Sequence, residues 1–205
     1  MDNDGDEPPK YPNDPRMIYA AAGGFLGGNN FIICGGQDIV EYTVTNKCFK
    51  LGLIDTFAVM KKNRSNAASI MLKDKLWILG GWDGNGIDRY SSTEYIFSDG
   101  RSEEGPPMPI AIKDHVIIKI NYNTFLVIGG YGNNGYYNNT WSYSNGKWSD
   151  GPALVNKRSR HSVGIVRDSA TLHEYFVVTG GLNGDRNVEI LRSDGTGWEA
   201  GKFST

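Results

Sequence analysis

The 205-residue sequence predicts an all-β fold made of four copies of one four-stranded antiparallel unit. Three observations carry this reading. An apolar run stops on a pair of glycines four times, at Gly35-Gly36, Gly80-Gly81, Gly129-Gly130 and Gly180-Gly181. The first glycines of the pairs lie 45, 49 and 51 residues apart, a period typical of stacked or radial repeats. The composition, with 27 glycines, 11 tyrosines and five tryptophans, favours short strands and turns over helices.

Taken in order, residues 1–16 are acidic and rich in proline (Pro8, Pro9, Pro12, Pro15), and they carry almost no aliphatic side chains. Such a segment buries too little surface to offset its ordering entropy, so a disordered tail is expected. The repeats follow at about 17–60, 61–109, 110–157 and 158–205. In each, a strand a precedes the glycine pair: Met17 to Ala22, Arg64 to Leu72, Lys113 to Ile120 and Arg160 to Val166. Strand b is the apolar run itself. Strand c is expected at Glu41-Tyr42, Glu94-Tyr95, Thr140-Trp141 and Glu189-Ile190, and strand d at Phe49, Ser102, Trp148 and Trp198. Gly52, Gly105, Gly151 and Gly201 each lie three residues after the strand d position. Paired glycines at the end of a buried strand permit positive φ and close approach of another backbone or a ring. One unit alone leaves sheet faces uncovered, so neighbours must stack.

The order of apolar run, Gly-Gly, loop, Glu-Tyr and then Trp148-Ser149-Asp150-Gly151-Pro152 resembles the kelch repeat. The resemblance covers about Met17 to Thr205 and is fullest in the third and fourth copies. Phe49 and Ser102 stand where the tryptophan belongs in the first two, and the first copy reads as having a very short loop after Gly36. Kelch repeats are blades of a β-propeller of six or seven blades, so four copies imply a partial ring. A fragment of a longer chain is the first explanation, a true four-bladed ring the second, and a dimer completing the ring the third.

The formal net charge is −2, and the tail holds five of the acidic residues against Lys10 and Arg16, which leaves the body near neutrality. A nucleic-acid partner is therefore not expected, nor is an anionic membrane. No run reaches the ~20 apolar residues of a spanning helix, and no apolar signal core opens the chain, so a cytoplasmic location is expected, or a secreted one for a fragment lacking its signal. Cys34 and Cys48 are expected as reduced structural thiols. Asn63-Arg64-Ser65 and Asn138-Asn139-Thr140 match the glycosylation acceptor pattern, which matters only in a secreted product.

His115 and His161 recur at one repeat position, filled by Asn66 in the second copy, which favours an architectural role over catalysis. His173 falls in an insertion. A copper oxidase resembling galactose oxidase would need a tyrosine–cysteine crosslink that no spacing here supports. Gly84-Asn85-Gly86 lies between strands and reads as a turn. No carboxylate pair at glycosidase spacing can be named. No cofactor, metal or catalytic residue is expected.

The b–c and d–a loops of such a sheet emerge on one face. They bring together Arg64, Trp82, Arg89, Tyr131, Tyr136, Arg158, Arg160 and Arg186, residue types common at binding hot spots. Since kelch relatives include actin-binding proteins and ubiquitin-ligase adaptors, the resemblance implies a non-catalytic protein-interaction scaffold. Its partner is expected to be an acidic peptide segment or a cytoskeletal protein. The alternative is a carbohydrate-binding or carbohydrate-processing propeller, because an aromatic rim also stacks on sugars.

Overall fold

A computed structural model of the chain describes residues 18–38, 41–52, 55–86, 89–183, 187–192 and 197–201. The acidic segment 1–16 lies outside the described residues. These residues are all strand, turn and loop, with no helix. The first repeat supplies β1 (Ile18–Tyr19), β2 (Ala22–Phe25), β3 (Phe31–Cys34), β4 (Gln37–Asp38), β5 (Lys47–Lys50) and β6 (Thr56–Val59). The second supplies β7 (Ala68–Leu72), β8 (Lys75–Leu79), β9 (Thr93–Ile96) and β10 (Ser102–Gly105). The third has β11 (Ile112–Lys113), β12 (Val116–Asn121), β13 (Thr124–Ile128), β14 (Tyr131–Gly132), β15 (Gly135–Tyr136), β16 (Thr140–Ser144) and β17 (Lys147–Asp150). The fourth has β18 (Ser162–Arg167), β19 (Glu174–Thr179), β20 (Glu189–Arg192) and β21 (Trp198–Ala200).

Each repeat folds into one antiparallel four-stranded meander: β2-β3-β5-β6, β7-β8-β9-β10, β12-β13-β16-β17 and β18-β19-β20-β21. The small sheets β1-β4 and β11-β14-β15 join the start of a repeat to the residues just after its glycine pair. The second strands are continuous apolar runs because both their faces are covered. Leu76 and Ile78 of β8 enter a core shared with the first sheet, while Trp77 and Leu79 enter one shared with the third. In β13, Phe125 and Val127 face back and Leu126 and Ile128 face forward, as the two-residue period of a strand requires.

The first strands of successive sheets lie side by side, β2 by β7, β7 by β12 and β12 by β18. A ladder of single residues runs beside them. Asn66 donates its backbone N–H to the Ala20 carbonyl (2.8 Å), Asp114 to Asn66 (3.0 Å) and Arg160 to Asp114 (2.9 Å). All four have φ between 54 and 56°, a conformation that asparagine and aspartate tolerate best.

The glycine pairs serve the junctions between sheets. A Cβ on Gly129 would stand 2.7 Å from the Arg158 carbonyl oxygen, and that oxygen accepts the Gly130 N–H at 2.9 Å. Ile112 and Arg64 offer their carbonyls to Gly81 and Gly36 in the same way. At Gly180 the space is open, both Gly180 and Gly181 are exposed, and the Arg160 carbonyl receives no further donor among the described residues. Ile165 and Val166 of β18 are accordingly about half exposed, at 52% and 53%. No strand of the fourth sheet pairs with the first among the described residues.

Three expectations are corrected here. In the first repeat, Glu41 and Tyr42 form a turn in which Tyr42 has φ 56° and is exposed; the third strand is β5 and the fourth is β6. The Glu-Tyr pair resembled the one at Glu94 but falls eight residues before the equivalent position, Phe49, and the loop after Gly36 is as long as that after Gly81. The first strand begins at Ala22, after the positive-φ Ala20, rather than at Met17. Finally, Cys34 and Cys48 are not reduced: they face each other across β3 and β5 and form a buried disulfide. The bond closes a short loop of sequence separation 14. Replacing both cysteines by alanine should lower stability by about 3 kcal/mol, read from denaturant midpoints with and without reductant. Reductant should leave the double variant unmoved.

Candidate functional site

Two of the arginines expected on the exposed rim are buried, which corrects that placement. Arg64 and Arg158 are 1% and 0% exposed. Nη2 of Arg64 meets Glu94 Oε1 at 2.7 Å, and its Nη1 donates to the carbonyls of Gly80 (2.8 Å) and Ser92 (3.1 Å). Arg158 repeats the arrangement with Glu189 (2.6 Å), Gly180 (3.0 Å) and Asn187 (3.3 Å). Each arginine is a staple, its carbonyl bound to the glycine pair of the preceding sheet and its guanidinium bound inside its own sheet. The carboxylates are satisfied as well: Glu94 accepts from the Lys61 N–H, and Glu189 from the Val155 and Asn156 N–H groups. In the third repeat the positions equivalent to arginine and glutamate hold Ile112 and Trp141, both in one apolar core, so an apolar pair stands between two ionic ones.

The other rim residues do come together. Lys113 Nζ sits over the Trp82 ring, 4.3 Å from its centroid, and the Arg89 guanidinium lies 4.8 Å over Tyr131. Arg89 also reaches Asn133 Oδ1 at 3.3 Å, and Tyr131 packs edge-on against Tyr136 with ring centroids 5.0 Å apart. The loops of the second and third sheets therefore cross-link through two cation–π contacts. Arg160 stands nearby, 59% exposed, with Nε 3.3 Å from Asp114 Oδ1. Burial depresses the Lys113 ammonium below its usual range. Asp114 opposes that shift, while Arg89 and Arg160 reinforce it, which locates three cations within electrostatic reach of one another. Arg186 lies outside the described residues. In the sequence Lys113 reads only as the start of a strand; it comes over Trp82 where the neighbouring Ile112 carbonyl accepts the Gly81 N–H at 2.9 Å, which no local pattern announces.

His115 and His161 are buried between glycine pairs. A Cβ on Gly80 would meet His115 Cε1 at 2.7 Å, and one on Gly129 would meet His161 Cε1 at 2.9 Å. Their equivalent in the second repeat is Ala67, beside Gly81, and not Asn66 as the sequence alignment suggests. Burial lowers the His115 pKa to about 3, helped by the charge of His161; burial and then Arg158 lower that of His161 to about 4. Both rings are neutral at physiological pH and serve as packing.

At the other end of the sheets, where β7 turns into β8 and β16 into β17, a groove of about 340 Å³ is lined by Trp77, Tyr95, Tyr143, Lys75 and Asn145 among others. Burial, together with the neighbouring Tyr143 hydroxyl, raises the Tyr95 hydroxyl above its ordinary value. No carboxylate among the described residues lines this groove. Among the described residues no group of three or more His, Cys, Asp or Glu is placed to hold a metal ion. No protein-family model matches the chain, and no curated protein matches it either.

Proposed function

We propose that the chain is an open arc of four kelch-like propeller blades. Its b–c loop face is a non-catalytic binding surface for an acidic segment of a partner protein. The observation that carries this reading is the cluster of Arg89, Lys113 and Arg160 set among Trp82, Tyr131 and Tyr136. Fixed cations beside flat aromatic surfaces suit carboxylates on a peptide whose apolar atoms rest on the rings. The ordered succession of four-stranded sheets, first strand beside first strand, supports the blade reading.

A fluorescein-labelled peptide rich in glutamate and aspartate is the probe. Its binding should weaken with salt and fall at least about tenfold when Lys113 and Arg160 are both reversed to glutamate, a change of about 1.4 kcal/mol or more. Reversal of Arg101, which is exposed just before the fourth strand of the second sheet beside Asp99 and Glu103, should leave it unchanged. Equal affinity in wild type and the double reversal sinks the proposal.

Carbohydrate binding is the second reading. The groove beside Trp77, Tyr95 and Tyr143 favours it, since aromatic faces with lysine and asparagine suit a sugar ring. A glycan array scored against Tyr95→Ala separates the two readings, because the loop face does not include Tyr95.

A further inference from the structure

Asn63 and Asn138 both open tripeptides of the form read by the N-glycosylation machinery, and the fold treats them differently. Asn63 is exposed in the connection between β6 and β7. Its equivalents in the third and fourth repeats are Ala111 and Lys157, so the repeat makes no use of an amide at this place. Asn138 is half-buried, and its Nδ2 donates to the Leu154 carbonyl at 3.0 Å. Asn46 makes the same bond to the Met60 carbonyl at 3.0 Å in the first repeat. The second amide thus belongs to the repeat, whereas the first is free of any structural duty.

The buried Cys34–Cys48 disulfide is an independent observation about the chain's surroundings. Disulfides form and persist in oxidising compartments, and the secretory pathway is also where asparagine is glycosylated. We infer that Asn63 carries an N-linked glycan, in a chain that matures in the secretory pathway rather than in the cytoplasm. In the transfer step the Asn63 Nδ2 attacks the anomeric carbon of a lipid-linked oligosaccharide. A new N–C bond forms, the C–O bond to the diphosphate breaks, one amide proton is released and the lipid diphosphate leaves.

Burial also sets the order of events. Arg64 and Ser65 are 1% and 0% exposed, so the serine hydroxyl that completes the acceptor tripeptide is within reach of a transferase only before the second sheet closes. Transfer therefore precedes folding. The finished glycan then projects from an exposed residue and displaces neither the Arg64 guanidinium nor the 2.9 Å bond from the Ser65 N–H to the Trp82 carbonyl.

The full chain, directed into the secretory pathway of a eukaryotic cell, should run as a heavier species that collapses on treatment with peptide N-glycosidase. Asn63→Gln and Ser65→Ala should each lower the mass of the heavier species by one glycan, and a heavier species should remain in Asn138→Gln. Whole-cell lysate is the right sample, since transfer before folding makes the readout independent of whether a variant folds. Absence of a shift in the wild type, or a shift that Asn63→Gln leaves undiminished, overturns the inference. On the chain isolated from its own cells, alkylation before reduction should spare both cysteines. Asn63 should be recovered as aspartate after enzymatic deglycosylation. Alkylated cysteines with an intact Asn63 would overturn it equally.

Discussion

Replacing Arg158 by isoleucine lowers the stability of the chain by about 3–5 kcal/mol, the largest effect expected of any single exposed-looking charge in the sequence. Glu189 is 0% exposed and loses the guanidinium partner it has among the described residues, while the Gly180 and Asn187 carbonyls each lose a donor. An uncompensated buried carboxylate is far more expensive than the absence of the pair. The third repeat supplies the control, because it fills the same two positions with Ile112 and Trp141, both inside a shared apolar core. Arg158→Ile combined with Glu189→Trp is therefore expected to recover at least half of the loss, an interaction energy of roughly 2 kcal/mol between neighbours that do not act additively. Urea unfolding of the wild type, both single variants and the double variant measures it. A single-variant loss below about 1 kcal/mol would mean that the ion pair contributes little to the stability of the fourth sheet.

Acidification is expected to destabilise the fold well above the range in which ordinary carboxylates titrate. His115 and His161 have folded-state pKa values lowered to about 3 and about 4, against about 6.5 in the unfolded chain. The unfolded state then binds more protons as pH falls below 6.5. The stabilisation is complete above that value and drains away as pH falls through the folded pKa values. Each ring contributes a loss on the order of 2 kcal/mol by pH 5. His115→Ala isolates the effect, since Ala67 already occupies the equivalent place in the second repeat. The variant is expected to be less stable at pH 7.5 through lost packing, yet to lose about 2 kcal/mol less than the wild type between pH 7.5 and pH 5. Identical slopes in the two proteins would show that His115 does not titrate on unfolding.

Much of this architecture was legible in the residues, for a local reason. A strand that must end against another backbone needs glycine there, and the need returns with every repeat, so four Gly-Gly pairs announced four sheets. The first repeat shows where such reading stops. Glu41-Tyr42 matched the pattern of Glu94-Tyr95, but Cys48 lies opposite Cys34, and that pairing sets the third strand later.

The candidate face divides in the same way. Trp82, Arg89, Tyr131, Tyr136 and Arg160 were recognisable as loop residues of binding type, because composition and position between strands are written locally. Arg64 and Arg158 looked alike in the sequence, but their carboxylates are 30 and 31 residues further along the chain. Residue type and spacing thus determined the all-β repeat, its period and the loops that share a face. The tertiary structure alone decided which arginines are buried, which cysteines are joined, and that β18 keeps Ile165 and Val166 half exposed among the described residues, because each depends on what packs there from a distant part of the chain.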